Sequence, residues 1–217
     1  MKNSKPIQLL ARLGIYCLGL WVLAVGITLA VNSNLGISPV SSLPYSLSQI
    51  LGLSLGTCST IVYTLYILAQ MVISRKFQPL LLLQLVFSTI FGFFVDAAKL
   101  LIGDFALPTY LGQLVMLGAS IVLIGFSLVL YIDVKLTPMP AEGLIACIAD
   151  KIHRPFPRIK TIFDCTCVLV SALLCLVFLG QVTGIREGTV LTALLVGKLM
   201  GSIRKYLSPL IEKICFG

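Results

Sequence analysis

The chain has 217 residues, of which 58% are hydrophobic and only 11% are charged, and its mean hydropathy is +1.05. A water-soluble globule of this size would expose most of that apolar surface, so the composition excludes a soluble protein and indicates one embedded in a bilayer. The net charge of +8 comes from short basic clusters between apolar stretches, which is typical of membrane topology signals and not of a nucleic-acid-binding face. The chain length allows about six spans of roughly 20 residues, so we expect a single transmembrane domain over residues 1–217.

Six apolar stretches are predicted to cross the membrane as α-helices. They cover residues 13–31, 57–74, 80–101, 110–131, 161–179 and 189–203. The first stretch is too long for the apolar core of a signal peptide and has no convincing cleavage site, so we expect it to be a retained span. The predicted fold class is therefore an all-α polytopic membrane protein with six transmembrane helices.

Two further apolar segments, residues 38–51 and 138–149, are too short to cross a bilayer. Each has about a dozen residues, whereas roughly 20 are needed to cross about 30 Å of hydrocarbon. Each also opens at or next to a proline, Pro39 in the first segment and Pro138 in the second. We therefore expect two short broken or re-entrant helices, which are tolerated at membrane depth where they are buried in protein or line a wet cavity.

The basic residues predict which side of the membrane each loop faces. Thirteen of the sixteen Lys and Arg residues fall at the two termini, after the second span or between the fourth and fifth spans. The connections after the first, third and fifth spans carry almost no Lys or Arg. The positive-inside rule therefore predicts a multi-pass plasma-membrane protein with both termini in the cytoplasm.

The two halves of the sequence resemble each other. At an offset of 99 positions residues 38–40 align with residues 137–139, and at an offset of 105 positions Gly92 aligns with Gly197. Each unit would hold one span, one short segment and two more spans. Because three spans per unit is an odd number, the two units must be inverted in the membrane, as in many secondary transporters. The two predicted repeats cover approximately residues 13–102 and 110–206.

Three motifs resemble those of the YczE/YyaS/YitT group of bacterial integral membrane proteins. They are NSNLGISP at residues 32–39, KLTPMP at residues 135–140 and the glycine-containing last span at residues 190–201. The resemblance covers nearly the whole chain and rests on turn and packing residues. It implies a multi-span plasma-membrane protein, with some relatives described as transporter-like or as exporters, and it provides no catalytic residues.

The candidate substrate-binding residues flank the two short segments or lie in the later spans. They are Asn32, Asn34, Ser38, Ser41, Ser42, Tyr45, Thr137, Glu142, Asp164 and Lys198. A half-helix that begins near Pro39 points its first N–H groups at whatever lies in front of them, which favours an anionic or carbonyl-bearing solute. The hydroxyls of this segment can instead cap the half-helix, and both alternatives stay open at this stage.

Charged residues within apolar segments suggest further roles. Glu142 would bind a proton or a cation if it faces a cavity, and it needs no such role if it faces the cytoplasm. Lys160 and Asp164, four residues apart at the start of the fifth span, share one helix face and are expected to pair. Lys198 lies within the last span and is expected to point inward or to snorkel, with Asp164 or Asp96 as its partner.

No set of residues suggests catalysis. The seven cysteines are an odd number and lie mostly in apolar stretches, so they indicate neither a disulfide framework nor a metal site. The single histidine, His153, lies in a basic loop that suits topology and lipid headgroups, and no glycine-rich phosphate loop occurs. We expect no enzyme activity, no cofactor, no bound metal and no nucleic-acid partner.

These observations predict a transporter-like membrane protein. The expected function is a secondary carrier or exporter of a small solute, with a midplane site between the two half-helices and an option of proton or ion coupling through Glu142, Asp164 or Lys198. One alternative is a solute-binding subunit that needs an energising partner. Another is a non-transporting membrane scaffold or regulator. Besides the bilayer and the solute, a second copy of the chain or another membrane protein is a candidate partner.

Overall fold

The fold is helical throughout the part of the chain that the structure, a computed structural model, describes, which is residues 5–75 and 79–215. No strand occurs within these residues, so the predicted all-α class is confirmed. The helices are α1 (Lys5–Ser33), α2 (Pro39–Leu51), α3 (Leu55–Ser74), α4 (Pro79–Ile102), α5 (Tyr110–Asp133), α6 (Pro140–Lys151), α7 (Phe156–Leu179) and α8 (Glu187–Cys215).

Five of these helices are long and apolar enough to cross a membrane, namely α1, α3, α4, α5 and α7. They contain the first five predicted spans. The sixth predicted span, residues 189–203, lies within α8, whose 29 residues are more polar. Every stretch of 18 residues in α8 contains at least three charged residues. α8 therefore lacks the long, nearly uncharged apolar stretch that the other five helices have.

The two predicted short segments form short helices. α2 has 13 residues and α6 has 12, so at about 1.5 Å per residue they are roughly 20 and 18 Å long, too short to cross the hydrocarbon core. Pro39 and Pro140 occupy the first positions of these helices, where a missing N–H costs nothing.

The predicted alignment of the two breaks was wrong by two residues. α6 begins at Pro140 and not at Pro138, so Pro138 lies in the linker before the helix. Asn34 and Lys135 take matching left-handed backbone angles, with φ of 56° and 52°, just after α1 and α5 respectively. These two left-handed residues are 101 positions apart, and one turn residue, Val134, separates the end of α5 from Lys135.

The most extensive helix contact joins α1 to α5 along the centre of the bundle. Two glycines on α1 allow this approach, since a Cβ atom on Gly19 would lie 3.1 Å from Cβ of Leu130 and one on Gly26 would lie 2.9 Å from Ile124. α4 then packs on α1 and α8 packs on α5. The short helices cross over between the halves, because α2 packs on α7 and α6 packs on α3.

The third and fourth helices of the first half are packed tightly, whereas α7 and α8 share no comparable interface in the described residues. Gly56 of α3 and Gly92 of α4 face each other so closely that a side chain on either would overlap the other helix. We refer below to the end of the bundle where α1 begins and α8 finishes as the terminal end. The opposite end, where α1 finishes and α8 begins, is the distal end.

Candidate functional site

A cavity of about 290 Å³ lies inside the bundle, and we call it the central cavity. All the helices except α4 contribute to its wall over the described residues, and most of that wall is apolar. Its polar wall residues are Ser38, Ser41, Tyr63, Tyr131, Glu142, Lys160, Asp164 and Thr192. The volume lies near the lower end of the range for small-molecule sites, about 300–1,000 Å³, so it suits a small solute.

The start of α2 forms one polar part of the wall. Ser38 is the N-cap residue, and its Oγ accepts a long hydrogen bond of 3.4 Å from the backbone N–H of Ser41. The Ser38 hydroxyl also donates to Oγ of Ser41 at 2.9 Å. This self-capping partly satisfies the helix terminus from within the chain, which weakens the expectation that α2 binds an anion there.

Glu142 forms the opposite polar part of the wall, in the first turn of α6. Its Oε1 accepts a hydrogen bond of 3.1 Å from the buried hydroxyl of Tyr131. Its Oε2 is buried and has no hydrogen-bond partner in the described residues. A buried carboxylate oxygen without a donor is unfavourable, so a proton or a cationic ligand is expected to satisfy it.

An ion pair on α7 completes the polar wall. Nζ of Lys160 lies 3.2 Å from Oδ2 of Asp164, one helical turn away, which confirms the predicted pairing. The Asp164 side chain is 19% exposed and the Lys160 side chain 41% exposed, so Lys160 is the member of the pair nearer to the outside. The pair adds no net charge, and Glu142 is left as the one unbalanced acidic group on the described wall.

A second cavity of about 480 Å³ extends from the central cavity toward the terminal end. The two cavities share four wall residues, Tyr131, Ile132, Glu142 and Phe156. The rest of its wall is the linker between α5 and α6, including Thr137, together with Ala146 of α6. Glu142 therefore stands where the two cavities meet.

The distal end is closed by hydrogen bonds between two linkers. The backbone N–H of Ile37 donates to the carbonyl oxygen of Gly184 at 3.0 Å, and the N–H of Gly188 donates to the carbonyl oxygen of Leu35 at 2.8 Å. Arg186 Nη1 donates to the carbonyl oxygen of Asn34 at 3.1 Å. Leu35 and Ile37 are fully buried, so the linker between α1 and α2 seals this end against the loop before α8.

A family model described as a family of unknown function (DUF6198) matches residues 10–205. The chain belongs to this family. It is 30% identical over 200 residues to a Bacillus subtilis (strain 168) protein named uncharacterized protein YyaS, which covers 91% of this chain and 92% of the relative. It is also 30% identical over 195 residues to uncharacterized membrane protein YczE of the same organism, covering 89% of this chain and 85% of the relative.

No solved structure matches the chain. The resemblance that the three sequence motifs suggest is confirmed for YyaS and YczE. The relative's description as a membrane protein agrees with the five long apolar helices. The protein is therefore an integral membrane protein in contact with lipid.

The structure brings four of the predicted site residues to the central cavity, namely Ser38, Ser41, Glu142 and Asp164. Thr137 lies in the wall of the second cavity. Ser42 is buried away from both cavities, between α2 and α7, where its Oγ lies 3.0 Å from Oγ of Ser171.

Three predicted site residues lie at the closed distal end instead. Asn32 accepts a hydrogen bond from Nζ of Lys99 at 3.0 Å and donates to the carbonyl oxygen of Gly103 at 2.9 Å. Asn34 is exposed and supplies the carbonyl bonded by the arginine of the α8 loop. The ring of Tyr45 packs against Gly184. These contacts hold the distal end together. The three residues are close in sequence to the break between α1 and α2, but none of them lies on the wall of the central cavity.

The predicted ion-pair partners of Lys198 were wrong. Lys198 is exposed on α8 and lines neither cavity, while its neighbour Gly197 is on the wall of the central cavity. Asp164 is paired with Lys160, and Asp96 accepts hydrogen bonds at the start of α3. The lysine therefore points outward, because the face of α8 that meets the cavity is one helical position away.

Tyr63, Tyr131 and Phe156 are wall residues that sequence reasoning did not single out. An aromatic residue in an apolar span is far more common as packing than as a binding residue, so its type gave no signal. The spacing offered one signal for Tyr63. Tyr63 and Asp164 are 101 positions apart, which is also the spacing of Asn34 and Lys135 at the two helix breaks.

One polar contact fixes the first helix of each half to its last helix. At the terminal end Nη2 of Arg204 lies 2.7 Å from Oδ1 of the buried Asp133, and at the distal end Lys99 donates to Asn32. Asn32 and Asp133 are again 101 positions apart. Lys99 also pairs with the exposed Asp104 at 2.7 Å, and this hydrogen bond lowers the pKa of the Asp104 carboxyl.

Proposed function

We propose that this protein is a secondary carrier or exporter that moves a small solute by exposing the central cavity alternately to the two sides of the membrane. The observation that carries the proposal is the unequal access to that cavity. A second cavity leads from it to the terminal end, whereas hydrogen-bonded linkers close the distal end. A site inside a membrane protein that is open to water at one end of the bundle only is what one state of an alternating-access carrier requires.

The proposal includes six membrane crossings, with α8 as the sixth, and two inverted repeats. It is supported by five pairs of central-cavity residues whose members are each 101 positions apart. The pairs are Leu23 with Ile124, Ile27 with Leu128, Ser38 with Met139, Ser41 with Glu142 and Tyr63 with Asp164. A constant spacing around one cavity is expected where two copies of one unit meet across a twofold axis.

The terminal end supports the existence of a second state. At the distal end the α1–α2 linker is bonded to the start of α8. The corresponding α5–α6 linker and the start of α4 border a cavity of about 790 Å³, with Pro138 and Leu81 in its wall. In the alternate state we expect this cavity to close and the distal hydrogen bonds to open.

The orientation that we propose puts both termini in the cytoplasm of a plasma-membrane protein. The terminal end carries most of the Lys and Arg residues, so the positive-inside rule supports this side as cytoplasmic. The state described here would then be open to the cytoplasm. A tag inserted within residues 103–109 should be labelled from outside intact cells, and labelling only after permeabilisation would contradict the orientation.

Glu142 is the residue we propose for proton or ion coupling. It stands where the cavities meet and has one buried oxygen without a partner, so a proton or cation bound there would alter the charge of the site. Asp164 is already paired with Lys160, and Lys198 lies outside both cavities, which makes them weaker candidates. No enzyme activity and no cofactor are part of the proposal.

Solute counterflow in liposomes tests the carrier proposal. A thermal-shift screen of the purified protein against a metabolite and drug library first supplies a ligand, because binding to the folded state raises its apparent stability. Liposomes loaded with unlabelled ligand should then accumulate the labelled ligand transiently without an added energy source. Glu142→Gln should abolish this accumulation, and Glu212→Gln, which removes an exposed carboxylate on α8, should leave it unchanged.

The alternatives give different outcomes in the same experiment. A solute-binding subunit would bind ligand but show counterflow only with an energising partner. A scaffold or regulator would bind no ligand and would instead form a stable complex with a second copy of the chain or another membrane protein. Either outcome would overturn the carrier proposal.

A further inference from the structure

We infer that the central cavity binds a small organic cation with an apolar body, and that Glu142 is its counter-ion. The inference rests on the proposed function for the site's role in transport, and it adds the chemical class of the solute. The first support is the net negative charge of the cavity wall. Within the described wall of the cavity Glu142 and Asp164 are acidic and Lys160 is basic, and the lysine is already paired with Asp164 at 3.2 Å.

The unpartnered oxygen of Glu142 directs the inference to a cation. Its other oxygen is held by the Tyr131 hydroxyl at 3.1 Å, so the carboxylate is fixed in place while Oε2 lacks a donor among the described residues. A cationic ligand would neutralise the group and satisfy that oxygen. An anion would face a wall on which two carboxylates are balanced by one ammonium group, and the start of α2 offers it little because Ser38 already caps that helix.

The rest of the wall explains why the cation should be organic and apolar. Most of the wall surface is apolar, and leucine, isoleucine, valine and methionine supply nine of its residues. Among the described residues no group of three or more His, Cys, Asp or Glu side chains is placed to hold a metal ion. Tyr63, Tyr131 and Phe156 add aromatic rings, which attract organic cations through their faces. A volume of about 290 Å³ limits the ligand to a small one.

The cavity also has a lateral boundary that suits such a ligand. Its wall includes Lys160 and Asp164 of α7 and Ala193 and Gly197 of α8, and no packed interface joins these two helices in the described residues. In a membrane the space between them faces lipid. An apolar cation that partitions into the bilayer could therefore reach the site from the side.

Equilibrium binding of radiolabelled 1-methyl-4-phenylpyridinium, a permanent cation, to the full-length protein in lipid nanodiscs tests the inference. We expect saturable binding at one site. The neutral isostere 4-methylbiphenyl and the anion biphenyl-4-carboxylate should compete at least tenfold more weakly than the unlabelled cation. Equal or stronger competition by the anion or the neutral compound would overturn the inference.

Three variants locate the binding site. Glu142→Gln keeps the shape of the side chain and should weaken cation binding at least tenfold, while Glu212→Gln should leave the affinity unchanged. Lys160→Gln removes a positive charge from the wall and should strengthen binding severalfold. Wild-type affinity in the Glu142 variant would overturn the inference.

A measurement on the unaltered protein covers the case in which Glu142→Gln does not fold. Dicyclohexylcarbodiimide modifies carboxyl groups in apolar surroundings, and mass spectrometry of the digested protein reports the extent at Glu142. The bound cation should slow modification of Glu142 at least severalfold and leave that of Glu212 unaffected. No protection at saturating cation would contradict the assignment.

The binding and counterflow experiments fail separately. Cation binding without counterflow would keep this inference and overturn the carrier proposal. Counterflow of another solute together with no cation binding would keep the carrier and overturn this inference.

Discussion

The two halves of the bundle differ most in how their last two long helices meet. α3 and α4 lie in close contact at Gly56 and Gly92, whereas α7 and α8 share no packed interface in the described residues. In the most apolar 18-residue stretch of α3, 44% is buried within the protein, whereas the corresponding value for α7 is 17%. The first pair is therefore closely packed, and the second leaves the central cavity without a packed helix interface on that side.

The side chains that the two pairs carry differ in a way that agrees with this difference in packing. Asp96 of α4 reaches the start of α3, where its Oδ1 accepts from the N–H of Gly56 at 2.8 Å and its Oδ2 accepts from Ser54 at 2.7 Å. The predicted alignment of Gly92 with Gly197, at an offset of 105 positions, pairs Asp96 with Gly201, which has no side chain to offer. Acidic and basic groups of α7 line the cavity instead. The comparison suggests that one pair of helices is structural and the other borders the site.

The largest expected effect comes from a bulky side chain in the closed pair. Gly56→Leu would place a side chain against the backbone of α4 at Gly92, so we expect a loss of about 3 kcal/mol in the free energy of unfolding. The matched change Gly197→Leu on α8 meets open space and should leave stability nearly unchanged. Thermal unfolding of both variants in one detergent checks this. Equal losses would mean that α7 and α8 are packed as closely as α3 and α4.

Removing the capping carboxylate should have the next largest effect. Asp96→Ala leaves the Gly56 N–H and the Ser54 hydroxyl without this acceptor, which should cost about 1–3 kcal/mol. Gly201→Ala, at the corresponding position of α8, has no neighbour within 4 Å and should be neutral or slightly stabilising, because alanine favours a helix. Denaturant midpoints measure both. An Asp96→Ala variant as stable as the wild type would remove the proposed reason for the difference between the pairs.

The loop between α7 and α8 should be more sensitive than its exposure suggests. Gly180 and Gly184 both have positive φ, 71° and 73°, so alanine at either should cost about 1–2 kcal/mol. Only at Gly184 would the added carbon also overlap the Tyr45 ring, so Gly184→Ala should lose more stability than Gly180→Ala. It should also speed amide hydrogen exchange around Ile37, whose N–H bonds to the Gly184 carbonyl. Equal behaviour of the two variants would show that this loop does not seal the distal end.

Local sequence features predicted the parts of the fold that depend on neighbouring residues. Length and apolar content located five of the six predicted spans, and proline located the starts of the short helices to within two residues. The four-residue spacing of Lys160 and Asp164 predicted their ion pair. The membrane makes such signals reliable, since backbone groups inside it must be satisfied within each segment.

Contacts between distant segments were much harder to predict. Whether Glu142 or Lys198 faces the cavity depends on the rotation of a helix about its axis, and one helical position decides between Gly197 on the wall and Lys198 outside. The role of Asp96 depends on how closely Gly56 approaches Gly92, which follows from the packing of two helices and not from either one alone. The cavity is therefore a property of tertiary packing.

The smallest expected effect concerns how α7 is held, since it has no packed interface with α8 in the described residues. α2 is the main neighbour of α7, and the Oγ atoms of Ser42 and Ser171 lie 3.0 Å apart in this interface. Each hydroxyl also lies 2.6 Å from a carbonyl oxygen of its own helix. Because a hydroxyl has one proton, only one serine can donate across the interface, and the other can donate to its own carbonyl. Either hydroxyl can therefore be satisfied within its own helix when the other is removed. A double-mutant cycle of Ser42→Ala and Ser171→Ala should give a coupling energy of about 0.6 kcal/mol, typical of interhelical hydrogen bonds in membranes. A coupling several times larger would mean that α7 is anchored as firmly as α3, by polar contacts in place of close packing. A coupling of zero would indicate that apolar packing on α2 and α6 alone positions the cavity wall.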